Sequence, residues 1–226
     1  MRMTNIMASA ALAAALASSG AQAASLITNG SFEDTTNFVD QGNDTMTVGP
    51  GSTAITGWTV TAGSLAWIGP SNPFGVTASD GSYSLDLTGY RDAPPYAGVT
   101  QTISTVNGGH YVLTFDLGTQ GNSPSAINAA AGTANQTFTT TAQAGFGWQT
   151  ETLAFTASGT STTVSLLGQT ESNGNYIGLD NVSVTCTSAC TVSGAPEPAS
   201  WALMLVGFGG LGVMLRSRRR HANAPA

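Results

Sequence analysis

Hydrolytic chemistry requires a nucleophile with a base beside it, or two carboxylates facing one cleft. Between Ser25 and Ala195 there is one histidine, His110, at a strand start after Asn107-Gly108-Gly109, and no G-x-S-x-G. The carboxylates Asp80, Asp86, Asp92, Asp116 and Glu151 are scattered, with no spacing that pairs them. A strand-edge histidine in an ordinary hydrogen bond accounts for His110, so the residues point to a non-enzyme. Binding a neutral sugar instead requires aromatic platforms with a few hydrogen-bonding groups beside them. Tyr90-Arg91-Asp92-Ala93-Pro94-Pro95-Tyr96 offers both in one loop. Trp67 and Trp148 are either further platforms or core, and Trp58 is assigned to the core. Cys186 and Cys190, in CTSAC, lack the second pair or histidine cluster that zinc would want, and read as a small-loop disulfide.

Charge narrows the ligand. The net charge is −6, yet of the 6 Lys+Arg residues only Arg91 falls between Ser25 and Ala195, and none is lysine. A domain so acidic is unsuited to nucleic acid or anionic lipid, and better suited to divalent cations or neutral polymers. With 8% charged residues and 28 Gly, it has the composition of a secreted β protein with polar, uncharged faces.

The two ends read as targeting segments. Arg2, an apolar run from Ala8 to Ala17 and Ala21-Gln22-Ala23 form a signal peptide over residues 1–24, which engages the Sec translocon and signal peptidase. Trp201 to Leu215 is apolar throughout and is followed by Arg216, Arg218, Arg219 and Arg220. As a helix it spans about 22 Å, short of a hydrocarbon core of about 30 Å, so the arginines and Ala199-Ser200 complete residues 199–220 as a single transmembrane segment. Arginines stay cytoplasmic, which places the domain outside the inner membrane, on the side the signal peptide demands.

Residues 25–185 must therefore supply the fold, with 186–198 as a linker. Alternation has period two: Tyr83, Leu85 and Leu87 share one face, and Tyr111, Leu113, Phe115 and Leu117 another. Shorter cases are Val99 with Gln101 and Ile103, Leu153 with Phe155, and Val164 with Leu166. Turns at Ser79-Asp80-Gly81, Asn107-Gly108-Gly109, Ala157-Ser158-Gly159 and Ser172-Asn173-Gly174 separate them. The expectation is all-β, an antiparallel β-sandwich. Gly118–Gly147 reads as loops with one or two weak strands, and Thr35–Thr56 as a long loop. In the last strand Ile177 and Leu179 share one parity and Val182 and Val184 the other. Either a β-bulge at Asp180-Asn181 or a strand buried on both sides accounts for that.

Three blocks in order resemble the carbohydrate-binding jelly rolls of the galactose-binding-like superfamily, including secreted bacterial choice-of-anchor domains and plant cell-wall proteins. They are Leu26 to Glu33 with Gly57-Trp58; Asp80 to Leu85 with Gly98 to Thr102 and Tyr111 to Phe115; and Tyr176 to Val184. The resemblance implies one structural calcium ion on the positions of Glu33 and Asp180, with Asp34 nearby. The alternative is that Glu33 caps a turn and Asp180 is a solvated bulge residue. Pro196-Glu197-Pro198, Trp201-Ala202, the glycine-interrupted apolar run and the terminal arginines resemble the PEP-CTERM sorting signal of exopolysaccharide-producing Gram-negative bacteria. That implies recognition by an exosortase, a membrane protease that removes the tail, against the alternative of a permanently anchored periplasmic protein.

These readings converge on an exported surface or matrix protein that binds carbohydrate, exopolysaccharide above all, without catalysis. The alternative is a purely structural role in biofilm or envelope. Intact mass of protein from a host with the exosortase should show that residues 1–24 and everything after roughly Pro198 are gone. Recovery of the full tail there would mean a permanent anchor.

Overall fold

Strands with period-two alternation can bury one face only against a second layer, which favours two packed sheets. The computed structural model describes residues 24–89, 94–121, 124–140, 145–169 and 176–190. They contain β1 (Thr45–Val48), β2 (Thr59–Ala62), β3 (Leu65–Ile68), β4 (Ser84–Asp86), β5 (Ala97–Ser104), β6 (His110–Gln120), β7 (Ala126–Ala131), β8 (Ala134–Thr139), β9 (Phe146–Thr156), β10 (Ser161–Gly168) and β11 (Gly178–Ser188). One sheet has the order β1-β3-β4-β11-β6-β9 and the other β2-β5-β10-β7-β8. This is the expected antiparallel β-sandwich. The segment 199–220 and nearly all of the signal peptide lie outside the described residues. Among those described, no helix is long and apolar enough to cross a membrane.

The core lies between the sheets. Leu113, Phe115 and Leu117 of β6 are fully buried and share one cluster with Val99 of β5, Val164 and Leu166 of β10, and Ile127 of β7. Phe115 meets Phe138 of β8 edge-on across the layers, with centroids 5.5 Å apart. Each fully buried side chain of this size stabilises the fold by roughly 1.5–3 kcal/mol relative to exposure.

Two segments are more regular than their sequence suggests. β7 and β8, inside Gly118–Gly147, form a hairpin whose inward Ile127, Ala129 and Phe138 suffice because β10 supplies the larger side chains. β1 lies inside the expected long loop and pairs with β3 from Thr45↔Ile68 to Val48↔Leu65. A four-residue strand carries little periodic signal, and its partner fixes it.

The parity switch in β11 is a bulge. Asp180 pairs with Asp116, the register slips before Ser183, and Asn181 has φ 48°. Leu179, Val182 and Val184 all reach the core, while Asp180 turns to the outer face of the six-stranded sheet. Gly30 docks here: Val182 N–H donates to its carbonyl at 2.9 Å, and a Cβ on Gly30 would stand 1.9 Å from the Val182 carbonyl oxygen.

That outer face is covered. Residues 69–83 cross it as a strap with little strand pairing of their own, so side chains satisfy its backbone. Asp44 accepts from Ser71 N–H at 2.7 Å, Asp180 from Ser79 and Asp80 N–H at 2.8 and 3.0 Å, and Glu33 from Ser82 and Tyr83 N–H at 2.7 and 2.6 Å. Gln120 and Trp148 donate to the Phe74 and Thr77 carbonyls. Beneath the strap Val76 packs in a second apolar cluster with Ala66 and Ile68 of β3, joined by Phe146 and Tyr176.

The bulge makes Asn181 the position where a β-branched side chain is least tolerated. Asn181→Val should lower stability by about 1–2 kcal/mol, read as a lower urea midpoint at unchanged slope, while Asn181→Gly should stay near wild type. Equal losses would place the requirement in the 3.1 Å side-chain bond from Asn181 to Asp116 instead.

Candidate functional site

The outer face of the five-stranded sheet is open, and at one end of it lies a cavity of about 730 Å³. Its floor comes from outward positions of three adjacent strands: Ala126 of β7, Thr137 and Thr139 of β8, and Leu167 of β10. The inward neighbours Ile127, Phe138 and Leu166 are core, so alternation turns these four to the outer face, where Thr137 and Thr139 are exposed, Leu167 is half-buried and Ala126 is covered. Pro94, Pro95 and Pro124 wall the cavity from two loops, and Gln169 closes the end of β10. Among the described residues that line it, none carries a charge. Prolines and Leu167 offer apolar surface to C–H groups, while the two threonines and Gln169 offer donors and acceptors. The volume falls within the range of about 300–1,000 Å³ common for small-ligand sites.

Of the sugar-site candidates singled out from sequence, the structure describes Tyr96, Trp67 and Trp148, and only Tyr96 lies at the cavity. Tyr96 borders the cavity but is only 7% exposed and belongs to the core cluster, so its ring is not an open stacking platform. Trp67 is 0% exposed, donates from Nε1 to the Phe32 carbonyl at 3.2 Å, and packs edge-on with Phe38. It is core because its strand position faces the second sheet. Trp148 is half-buried on the other sheet's outer face. There it covers Gly118 and Gly178, where a Cβ would come within 2.8 and 3.0 Å of the indole, and it donates to the strap. Tyr90, Arg91 and Asp92 lie outside the described residues. Thr137, Thr139, Leu167 and Gln169 carried no motif. Their only signal was uncharged residues at outward strand positions.

His110 is exposed, with Nδ1 3.0 Å from the Thr156 hydroxyl, and lies at the opposite end of the sandwich beside the Cys186–Cys190 disulfide. Pro196 to Arg220, with the sorting-motif residues, lie outside the described residues.

Glu33 and Asp180 hold the same strap turn from its two ends, and their oxygens accept backbone N–H groups. Asp180 Oδ2 takes Ser79 and Asp80 N–H, Oδ1 takes Asn181 N–H at 2.7 Å, and Glu33 Oε1 takes Ser82 and Tyr83 N–H. A hard cation needs free oxygens converging on one point, whereas these oxygens face hydrogens. Among the described residues no three of His, Cys, Asp or Glu group to hold a metal ion. The donor set as it stands does not fit calcium; Glu33 caps the turn as the alternative has it, while Asp180 is a bulge residue but a buried one, bonded to the turn rather than solvated.

Asp180 is 0% exposed and its neighbour Asp116 6%, with the Ser79 hydroxyl 3.3 Å from the first and 2.7 Å from the second. Burial pushes the Asp180 carboxyl up to about 6, against amide and hydroxyl bonds that favour its ionised form. Between about pH 4 and pH 6 the folded protein therefore holds a proton that the unfolded chain has released. Stability from this group is complete below that window and declines as pH rises through it, by at most about 3 kcal/mol. Asp180→Asn cannot titrate. Wild-type stability minus that of the variant, from urea melts at pH 4 to 6.5, should fall as pH rises, and calcium and chelator should give superimposable wild-type melts. A flat difference would mean an ordinary carboxyl, and a chelator-induced drop would restore calcium.

Comparison with known proteins places the domain. Residues 25–185 match the family described as Protein of unknown function (DUF642), and residues 195–220 match the PEP-CTERM protein-sorting motif. Halomucin of Haloquadratum walsbyi is 31% identical over 183 residues, which are 80% of this chain but 2% of that protein. Among solved structures, the chain is similar to a CBM4 structure (20% identity, 71% of this chain and 99% of that one, TM-score 0.39). It is also similar to a family 35 carbohydrate binding module from Clostridium thermocellum (11%, 59% and 95%, 0.40) and to TmCBM61 in complex with beta-1,4-galactotriose (16%, 72% and 99%, 0.40). The sorting motif marks a protein exported and sorted to the cell surface, and the β-sandwich that precedes it belongs to the DUF642 family.

Proposed function

We propose that this protein is an exosortase substrate, held transiently in the inner membrane of a Gram-negative cell by residues 199–220, whose sandwich then binds a neutral glycan at the cell surface or in the matrix. The observation that carries the reading is the cavity: about 730 Å³, with no charge among its described lining residues, apolar walls, and Thr137, Thr139 and Gln169 as hydrogen-bonding groups. A sugar presents that mixture, C–H patches beside hydroxyls and no formal charge. An anionic ligand would find no cation among the described lining residues, and a fully apolar one would cover the polar groups of Thr139 and Gln169 without offering them a partner.

Binding without turnover is the better account. Among the described residues no carboxylate lines the cavity, and glycoside hydrolysis ordinarily uses two. Among the described carboxylates, Asp44, Asp86, Asp116 and Asp180 are spent on structural hydrogen bonds.

The chain ends support presentation. Ala24, Leu26, Ser104 and Cys190 share a recess, and Leu26 N–H donates to the Val184 carbonyl, so the mature N-terminus and the exit toward the tail lie at one pole. The cavity lies beside Tyr96, next to the other end of β5, about 24 Å away along an eight-residue strand. A membrane or anchor at the tail pole leaves the cavity facing outward.

A glycan array probed with the exported protein should return neutral oligosaccharides and exclude uronic acids. Leu167→Asp should abolish that binding. Thr137→Ala and Gln169→Ala, each deleting one hydrogen bond of about 1 kcal/mol, should weaken it roughly fivefold at unchanged melting temperature. Tyr96→Ala should instead lower stability by about 3 kcal/mol as a buried aromatic. An array with no neutral glycan retained would leave a structural matrix role.

A further inference from the structure

The cavity occupies one end of its sheet face, and the rest of that face is chemically unlike the rest of the domain. Every outward position on β2, β5, β7, β8 and β10 is Thr, Ser, Asn, Ala, Gly or Leu, none charged and none aromatic. All of the described Asp and Glu residues lie elsewhere, in loops or on the six-stranded sheet. Hydroxyls stand opposite one another in rows: Thr59, Thr100 and Ser165 on β2, β5 and β10, then Thr102 with Thr163, then Ser104 with Ser161. Several of these side chains are tied down, Thr100 by its hydroxyl donating to the Thr59 carbonyl at 3.4 Å. Thr102 and Thr163 share a 2.9 Å hydrogen bond, and Asn128 donates to Asn135 and Thr137 at 2.8 and 3.2 Å. Thr137 and Leu167, which stand opposite Asn128 in a neighbouring row, belong to the cavity floor, so the rows run into it without a break.

We infer that this hydroxyl face is a track for a neutral polysaccharide chain that leaves the cavity and lies along the sheet, so that the protein holds the length of a polymer rather than a terminal sugar. The inference rests on the proposed glycan reading of the cavity and extends it to the ligand's size. A chain of uncharged sugars can exchange hydrogen bonds with ordered hydroxyls over the whole face and brings no charge that would be desolvated without a partner. An acidic polymer gains nothing from a face without cations, and the remainder of the domain repels it. Threonines tied to a neighbour in this way lose less side-chain entropy on binding than lysine or glutamine would.

The test separates track from cavity. Thr163 stands four residues from Leu167 along β10, about 13 Å, and does not line the cavity. Neutral β-glucan, galactan, arabinan and xylan are titrated into the exported protein, each beside its own tetrasaccharide. For the polymer that binds, the pair Thr102→Asp and Thr163→Asp should weaken affinity at least tenfold, while affinity for the tetrasaccharide stays unchanged. Thr102→Val with Thr163→Val keeps the β-branched shape, removes only the hydroxyls, and should cost the polymer about threefold even if the charged pair lowers the melting temperature. Polymer affinity unchanged in both pairs, or lost in parallel with the tetrasaccharide, overturns the track and leaves the cavity reading intact. A wild type that sediments as a dimer and is split by the charged pair also overturns it, because the face would then pair with a second copy. Failure of the wild type to bind any polymer or tetrasaccharide removes the glycan reading and the track together.

Discussion

A strap that crosses a sheet without strands of its own must still satisfy its backbone N–H groups, and this fold does so with carboxylates. Asp44, Asp180 and Glu33, from three separate parts of the chain, accept from Ser71, Ser79 and Asp80, and Ser82 and Tyr83 in turn. An amide left buried without such a partner would cost about 1–3 kcal/mol. The bulge in β11 is what makes the central acceptor available: the register slip lets Leu179 and Val182 both face the core while Asp180 faces the strap. Gly30 then fits against the bulge because a side chain there would collide with the Val182 carbonyl. First and last strand regions are thereby joined by backbone contact and by carboxylates gripping one turn.

Because the strap closes the six-stranded sheet, the two faces of the sandwich have different fates. On the covered side the aromatics are consumed by packing. Trp148 lies over two glycines and holds Thr77, and Phe146 packs edge-on against both Trp148 and Tyr176. On the open side the outward strand positions carry neither aromatics nor charges, and the cavity gets its shape from prolines and from β7, β8 and β10. Acidity and openness are thus segregated: the carboxylates serve the architecture of one sheet and leave the other neutral. The net charge of −6 describes the chain as a whole and misdescribes the face available to a ligand.

Strand chemistry was legible in the sequence wherever both faces of a strand differed in polarity. Tyr111 to Leu117, Val99 to Ile103 and Val164 to Leu166 declared their inward sides by alternation alone, and the parity switch at Asp180-Asn181 announced an irregularity whose form needed the partner strand. β1 and the β7–β8 hairpin were less legible, because short runs of Ala, Thr and Asn become strands only when a neighbour supplies register. The site was harder still. Aromatic residues attract attention as sugar platforms, yet Trp67 and Tyr96 are core, since a large ring on an inward strand position contributes more by burial than by exposure. Thr137, Thr139, Leu167 and Gln169 come together only because β8, β7 and β10 are neighbours in that order, and no local pattern encodes strand order.

Polarity along the long axis connects the sandwich to its sorting motif. The disulfide ties Cys186 to Cys190 as the chain leaves β11, Thr187 Oγ1 donates to the His110 carbonyl at 3.1 Å, and Leu26 pairs with Val184, so both ends of the domain are fastened at one pole. Fastening matters more for a tethered domain than for a free one, because tension or proteolysis at the tether acts first on the terminal strand. The adjacent chain start, the 184–190 exit and the bulge-anchored Gly30 give β11 partners on more than its ladder neighbours alone. The opposite pole carries the cavity and its proline walls. Folding thus spends the acidic groups on holding the strap and the segments 24–26 and 184–190 on fastening one pole, and the cavity end of the five-stranded sheet lies at the other.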